Sequence, residues 1–71
     1  MSQYIVKRLA DASAFVVFDR NTHKTIVIQT SSIGEVFEQQ NYDLDATRFL
    51  LLEEEEQLAM LNNIDFSEYF T

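Results

Sequence analysis

Residues 14–30 of the chain read AFVVFDRNTHKTIVIQT, two runs of strand-forming residues joined by a short polar segment. Residues 14–18 and 25–30 are dense in aromatic and β-branched side chains, which favour strands. Asp19 and Asn21 in the connecting segment suit turn conformations. A parallel crossover needs a dozen or more residues, whereas a connection this short joins antiparallel neighbours. The stretch therefore predicts a β-hairpin.

A further strand is predicted before the hairpin, over residues 4–9, which read YIVKRL. Residues 10–13 form a short, polar connection, so this strand and the next are again expected to lie antiparallel. The first thirty residues therefore predict a three-stranded antiparallel β-meander.

The residues that follow the meander change to a helical pattern. Ser32 and Glu35 have the spacing of a capping box, in which a hydroxyl and a carboxylate satisfy backbone N–H groups at a helix start. The positions i, i+3 and i+4 of one apolar face are occupied by Ile33, Val36 and Phe37. We expect this helix to end near Asn41.

Residues 46–61 predict a second helix, for which Asp45 is the expected N-cap. The segment contains no helix breaker and is rich in Glu, Leu, Ala, Met and Gln, which are strong helix formers. One alternative stays open here. Residues 48–52 also fit a fourth strand, followed by a helix that begins at the glutamates, because acidic residues suit a first helical turn.

The C-terminal residues repeat the capping spacing with Asp65 and Glu68, which predicts a short helical turn. Its apolar side chains fall at i, i+3 and i+4 and are Phe66, Tyr69 and Phe70. They either cover the sheet or form an exposed aromatic anchor for a partner, since aromatic residues dominate binding hot spots.

Together these elements predict an α+β fold, a three-stranded antiparallel meander followed by two or three short helices that cover the sheet. We expect residues 1–71 to form one small domain, with the meander in residues 1–30 and an acidic helical part in residues 31–71. The predicted core is Ile5, Leu9, Phe15, Val17, Ile26, Ile28, Val36, Phe37, Phe49, Leu52 and Leu61. The predicted opposite face of the sheet is Tyr4, Val6, Val16, Phe18 and Val27. Because an exposed antiparallel face is normally polar, this apolar face is expected either to be covered by the second helix and the C-terminal tail or to meet a partner, for which a second copy is the candidate, as a homodimer face.

The composition excludes several kinds of site. Without cysteine there is no disulfide, no thiolate zinc ligand and no Cys nucleophile. His23 is the only histidine, which excludes a multi-histidine metal site, and a single glycine excludes a Gly-rich phosphate loop. We expect no cofactor, no metal and no catalysis, because a chain of this length has little room for a substrate pocket. A cytoplasmic protein is expected, since no segment fits a signal peptide or a membrane span.

Charge divides the chain at the same boundary as the secondary structure. Residues 1–30 carry four basic and two acidic side chains, whereas residues 31–71 carry ten acidic side chains against Arg48. The net charges of +2 and −9 return the formal −7 of the whole chain. The densest part is the run Glu53, Glu54, Glu55 and Glu56. On a helix these residues fan around the axis in ~100° steps, which disfavours convergence on one metal ion.

Two functions are consistent with this layout. The first is a non-enzymatic binding module, an inhibitor or modulator that mimics the phosphates of nucleic acid and docks on a basic, nucleic-acid-binding protein. Its predicted acidic patch is Asp43, Asp45, Glu53, Glu54, Glu55 and Glu56. The alternative is a self-associating assembly module that uses the apolar sheet face, with the acids maintaining solubility.

Some partners are not expected from the sequence. Direct binding of DNA or RNA needs a basic footprint, which the chain lacks. A membrane partner is not expected either. The small size and the lack of catalytic groups are typical of phage or mobile-element proteins, an association that adds no mechanism.

Overall fold

The computed structural model describes residues 3–70 and has the predicted α+β architecture. Three strands come first, β1 (Tyr4–Arg8), β2 (Ala14–Asp19) and β3 (Thr25–Gln29). A 3-10 helix at Thr30–Ser32 leads into α1 (Ile33–Gln39), which is followed by α2 (Ala46–Leu50) and α3 (Glu54–Leu61). A second 3-10 helix, Ser67–Phe70, ends the described chain.

The sheet is an antiparallel meander with β2 in the centre, as the short connections predict. In β1 and β2, Val6 lies opposite Val17, and in β2 and β3, Phe15 lies opposite Ile28. Because side chains alternate along a strand, this register sets the inner face that the helices cover. Its buried members are Tyr4, Val6, Phe15, Val17, Asp19 and Ile28.

The predicted inward face of β1 is wrong. Tyr4 and Val6 are buried, whereas Ile5 lies on the outer face and Leu9, just after the strand, is exposed. Both alternating sets of β1 begin with apolar residues, so the period of two alone does not distinguish them. The register with β2 decides the face, since Val6 lies opposite the fully buried Val17.

Both turns of the meander use backbone conformations that are uncommon for residues with a side chain. Ala12 and His23 have positive φ, 60° and 63°. Asp11 and Asp19 support these turns, because their carboxylates accept from the backbone N–H groups of Ser13 and Asn21. Such Asx bonds are the reason that aspartate favours turns.

The start of α1 differs from the predicted capping box. Ser32 has helical backbone angles, and its hydroxyl makes no capping bond. The 3-10 helix Thr30–Ser32 runs directly into α1, so the chain is already helical before the predicted cap.

The end of α1 agrees with the prediction near Asn41. Asn41 takes the left-handed conformation at φ 60°, and its N–H donates to Glu38 O. The N–H of Tyr42 donates to Phe37 O, and their rings lie 5.6 Å apart. Two such bonds with an apolar contact are the Schellman motif, in which asparagine replaces the usual glycine.

Residues 46–61 form two helices, so the predicted continuous helix and the alternative fourth strand are both wrong. The expectation that a helix begins at the glutamates is correct, as is the N-cap Asp45, whose carboxylate accepts from Arg48 N–H at 2.8 Å. Phe49 and Leu61 are both buried. Twelve residues apart on one straight helix, they would point ~120° away from each other. The break at residues 51–53 allows both to face the core.

The core lies between the inner face of the sheet and the helices. Phe49 is fully buried at its centre, with its ring 5.8 Å from that of Phe15 and 5.1 Å from that of Phe37. α3 packs against β1, and the C-terminal 3-10 helix packs against β3. The buried apolar cluster is Tyr4, Val6, Phe15, Val17, Ile28, Ile33, Val36, Phe37, Phe49, Leu61, Ile64 and Phe66. The predicted core members Ile26 and Leu52 are only partly buried beside it.

The buried carboxylate of Asp19 predicts a pH dependence of stability. Burial raises the pKa of Asp19. Hydrogen bonds from Asn21 N–H, the Gln3 amide and Thr22 lower this pKa by more than burial raises it, so it lies below its ordinary value. Because the pKa in the folded chain lies below the unfolded value near ~3.9, this stabilisation is present above pH ~4 and is lost on further acidification. In urea titrations at pH 5.5 and pH 3, Asp19→Asn should therefore lose less stability on acidification than the native chain.

Asp43→Asn is the matched control for this measurement. Asp43 is exposed and makes no hydrogen bond or ion pair with other residues in the described range 3–70. Asp43→Asn keeps the Asp19 carboxylate and its hydrogen bonds, so it should lose more stability between the two pH values than Asp19→Asn does. Equal losses for Asp19→Asn and the native chain would contradict the role given to Asp19.

Candidate functional site

The acidic run lies at the beginning of α3. Glu53 is the N-cap residue, and Glu54, Glu55 and Glu56 form the first turn, where all four side chains are exposed. The N-terminus of a helix carries partial positive charge from its free N–H groups, which favours carboxylates there. The run therefore has a local stabilising role in addition to any role in binding.

One carboxylate of the run is paired within the chain. Arg8, on β1, reaches across to α3, where its Nη2 lies 2.9 Å from Glu54 Oε1. Its Nη1 donates to Gln57 Oε1 at 3.1 Å, and Gln57 in turn donates to the Phe49 carbonyl at 3.0 Å. This chain of bonds ties β1, α3 and the end of α2 together. Glu53, Glu55 and Glu56 have no ion pair among the described residues.

A second group of carboxylates surrounds a shallow cleft between α1 and the loop before α2. The cleft has a volume of about 550 Å³ and is lined by Glu35, Glu38, Asp43, Asp45 and Arg48 among others. Four acids and one base give its charged lining a net charge of −3. Asp45 is partly engaged as the N-cap of α2, whereas Asp43 is exposed.

The structure thus adds Glu35 and Glu38 to the predicted patch. Both are exposed on α1, one turn apart. Their i, i+3 spacing can be read from the sequence, and it places them on one side of that helix. Asp43 and Asp45 belong to the cleft, and Glu53–Glu56 belong to the start of α3, so the predicted patch consists of two groups.

These carboxylates form no metal site in the part of the chain that the structure describes. No group of three or more His, Asp or Glu side chains within residues 3–70 is placed to hold a metal ion. For the run at α3 the reason is the fan of successive side chains around a helix axis.

The predicted aromatic anchor is largely part of the core. Phe66 is fully buried, and its ring meets Tyr4 edge-to-face at 5.5 Å. Phe70 stacks on Tyr4 at 5.7 Å, and the Tyr69 hydroxyl donates to Gln39 Oε1 at 2.6 Å. Burial and then the charges of Glu68 and Glu35 raise the pKa of Tyr69. These aromatic side chains cover the sheet, the first of the two predicted arrangements, and Phe66 is not available to a partner.

The predicted dimer face needs a correction. Tyr4 and Val6 lie in the core, for the reason of register given above. Val16, Phe18 and Val27 do lie on the outer face, with Ile5 beside them, outside the core cluster. Phe18 also contacts the exposed turn residue His23, with ring centroids 5.9 Å apart.

Within residues 3–70 no helix has the length and apolar character needed to cross a bilayer. No protein-family model, curated protein or solved structure matches the chain.

Proposed function

We propose that the protein is a non-enzymatic binding module that docks its acidic helical half on a basic, nucleic-acid-binding protein. The observation that carries this proposal is the exposure of seven carboxylates without an ion pair among residues 3–70. They are Glu35, Glu38, Asp43, Asp45, Glu53, Glu55 and Glu56. Asp45 is the one among them that also caps a helix.

Charge density supports this kind of partner. Concentrating like charges destabilises a compact chain through repulsion, and a cationic surface relieves that cost on binding. Proteins that bind nucleic acid use lysine and arginine to neutralise phosphates, so carboxylates at high density compete for the same groove. The partner class is thus a protein with a cationic groove, and the effect on it is competitive inhibition.

The test uses the pair of variants Glu55→Gln/Glu56→Gln and Ala10→Lys/Asn21→Lys. Both raise the net charge by two, but the first removes unpaired carboxylates from α3, and the second adds charge at exposed turns of the sheet. Immobilised native chain captures partners from a lysate of the source organism at low and high salt. The captured protein is then purified, and its affinity is measured by calorimetry.

We expect the glutamine variant to bind roughly tenfold more weakly and the lysine variant to bind nearly as the native chain does. Affinity should fall as salt rises, since screening weakens attraction between exposed charges. Double-stranded DNA should displace the protein from its partner. Binding that is unaffected by salt, or equally reduced in both variants, would contradict docking by the acidic surface.

A second candidate is self-assembly through the outer sheet face. The observation in its favour is that Ile5, Val16, Phe18 and Val27 lie together on the side of the sheet opposite to the helices. Exposed antiparallel faces are usually polar, and apolar patches on them mark interaction sites. In this case the acidic side chains serve solubility.

A further inference from the structure

One edge of the sheet has backbone groups without partners. β3 pairs with β2 on one side only. The bonds Asp19 N–H to Lys24 O and Thr30 N–H to Ser13 O, both 2.9 Å, fix which residues of this hairpin face β2. In an antiparallel ladder these positions alternate, so Thr25, Val27 and Gln29 direct their N–H groups away from β2. By this alternation Val27 makes no ladder bond with β2, and no backbone bond outside the ladder reaches it within residues 3–70.

β3 lacks charge and proline, two of the features that protect edges in most proteins, although the 3-10 helix Ser67–Phe70 packs against it. Charged side chains, proline, bulges or a covering helix usually prevent pairing with another chain. β3 reads TIVIQ and contains no charge and no proline, and Val27 is 58% exposed. The other edge, β1, differs in carrying the charged side chains Lys7 and Arg8.

We propose that β3 pairs with β3 of a second copy of this chain, antiparallel about a two-fold axis through Val27. This joins two meanders into one six-stranded sheet. The register follows from the backbone, because in both copies the backbone N–H and C=O groups of residues 25, 27 and 29 are directed away from β2. Val27 then lies opposite Val27, and Thr25 lies opposite Gln29. A slip by one residue would place backbone groups that face the second copy opposite backbone groups that face β2, so they could not bond.

The side chains and the charge favour a second copy as the occupant. The strand is nearly symmetric about Val27, so Ile26 lies opposite Ile28 of the second copy on the inner face. A groove of about 240 Å³ runs beside this edge, with Ile28, Val36 and Tyr69 in its lining. In a chain of net charge −7, the uncharged strand is a place where two copies can meet with little local repulsion.

This dimer does not depend on the acidic surface, and its response to salt is the opposite. Glu35 lines the same groove, and both copies are negatively charged overall. Salt screens their repulsion, so the dimer should strengthen as salt rises. Docking on a basic partner should weaken, so the two proposals can fail independently.

The experiment is sedimentation velocity of the full chain over a concentration series, with Val27→Lys and Val27→Glu as variants. The native chain should pass from the mass of one chain to that of two. Each variant alone should have a dimer dissociation constant roughly tenfold or more above the native value, because like charges meet at the axis. An equimolar mixture of the two should dimerise again, since Lys then faces Glu. Circular dichroism and urea unfolding check that the variants fold.

Ile5→Lys separates edge pairing from packing of the outer faces. Ile5 lies on the outer face in β1, away from the β3 edge, so this variant should dimerise as the native chain does. A native chain that stays at the mass of one chain at all concentrations would overturn the proposal. So would loss of the dimer in Ile5→Lys, or a Lys and Glu mixture that dimerises no better than either variant.

Discussion

Phe49→Ala should remove about 3–5 kcal/mol of folding stability, which is a large part of what a chain of this length possesses. At typical values per residue, 71 residues correspond to only ~4–10 kcal/mol. Phe49 is fully buried, and its ring contacts Phe15 of the sheet and Phe37 of α1. Its loss leaves a cavity where the two layers meet. Urea unfolding followed by circular dichroism would measure the change.

Leu51→Ala is the matched control, two residues further along the chain. Leu51 is 82% exposed at the break between α2 and α3. Its truncation should therefore change stability by no more than about 0.5 kcal/mol. A Phe49→Ala chain as stable as Leu51→Ala would mean that Phe49 does not join the two layers.

Phe66→Ala should have the second large effect, about 3 kcal/mol. The ring is fully buried against Tyr4 and also contacts Tyr69, so its truncation detaches the C-terminal 3-10 helix from the sheet. Hydrogen exchange should show faster exchange at Tyr69 N–H, which donates to the Phe66 carbonyl. Urea unfolding gives the accompanying loss of stability.

Phe70→Ala provides a graded comparison for this prediction. Phe70 stacks on the same Tyr4 ring but is only partly buried. Truncating it should cost clearly less than truncating Phe66, because less apolar surface leaves the core. If Phe66→Ala instead kept native stability and lost only a binding partner, Phe66 would be an anchor and its packing in the core would be unimportant.

Local sequence pattern does not determine the inner face of β1 or the break within residues 46–61. In β1 both alternating sets, Tyr4 with Val6 and Ile5 with Leu9, are apolar, and only pairing with β2 distinguishes them. Residues 46–61 contain no helix breaker and are rich in helix formers, yet the helix breaks at residues 51–53. Burial of Phe49 and Leu61 outweighs the few tenths of a kcal/mol that helix propensity contributes per residue.

The candidate site also combines a feature that follows from the local sequence with features that only the tertiary structure sets. Exposure of the glutamate run follows from its charge, since unpaired carboxylates are rarely buried. The ion pair between Arg8 and Glu54 joins residues that are 46 positions apart, and the cleft lies between α1 and the loop before α2. Neither follows from spacing along the chain, because both depend on how the helices fold back on the sheet.

The order of strands and helices, the separation of charge and the turns at Asp19 and Asn41 were determined by the sequence alone. Each depends on neighbours within a few residues, where propensity, periodicity and side-chain bonds to the backbone act. The inner face of β1, the break before α3, the burial of Phe66 and the open edge at β3 were decided by the tertiary structure. Those features depend on which distant surfaces exclude water together, and local patterns carry no information about that choice.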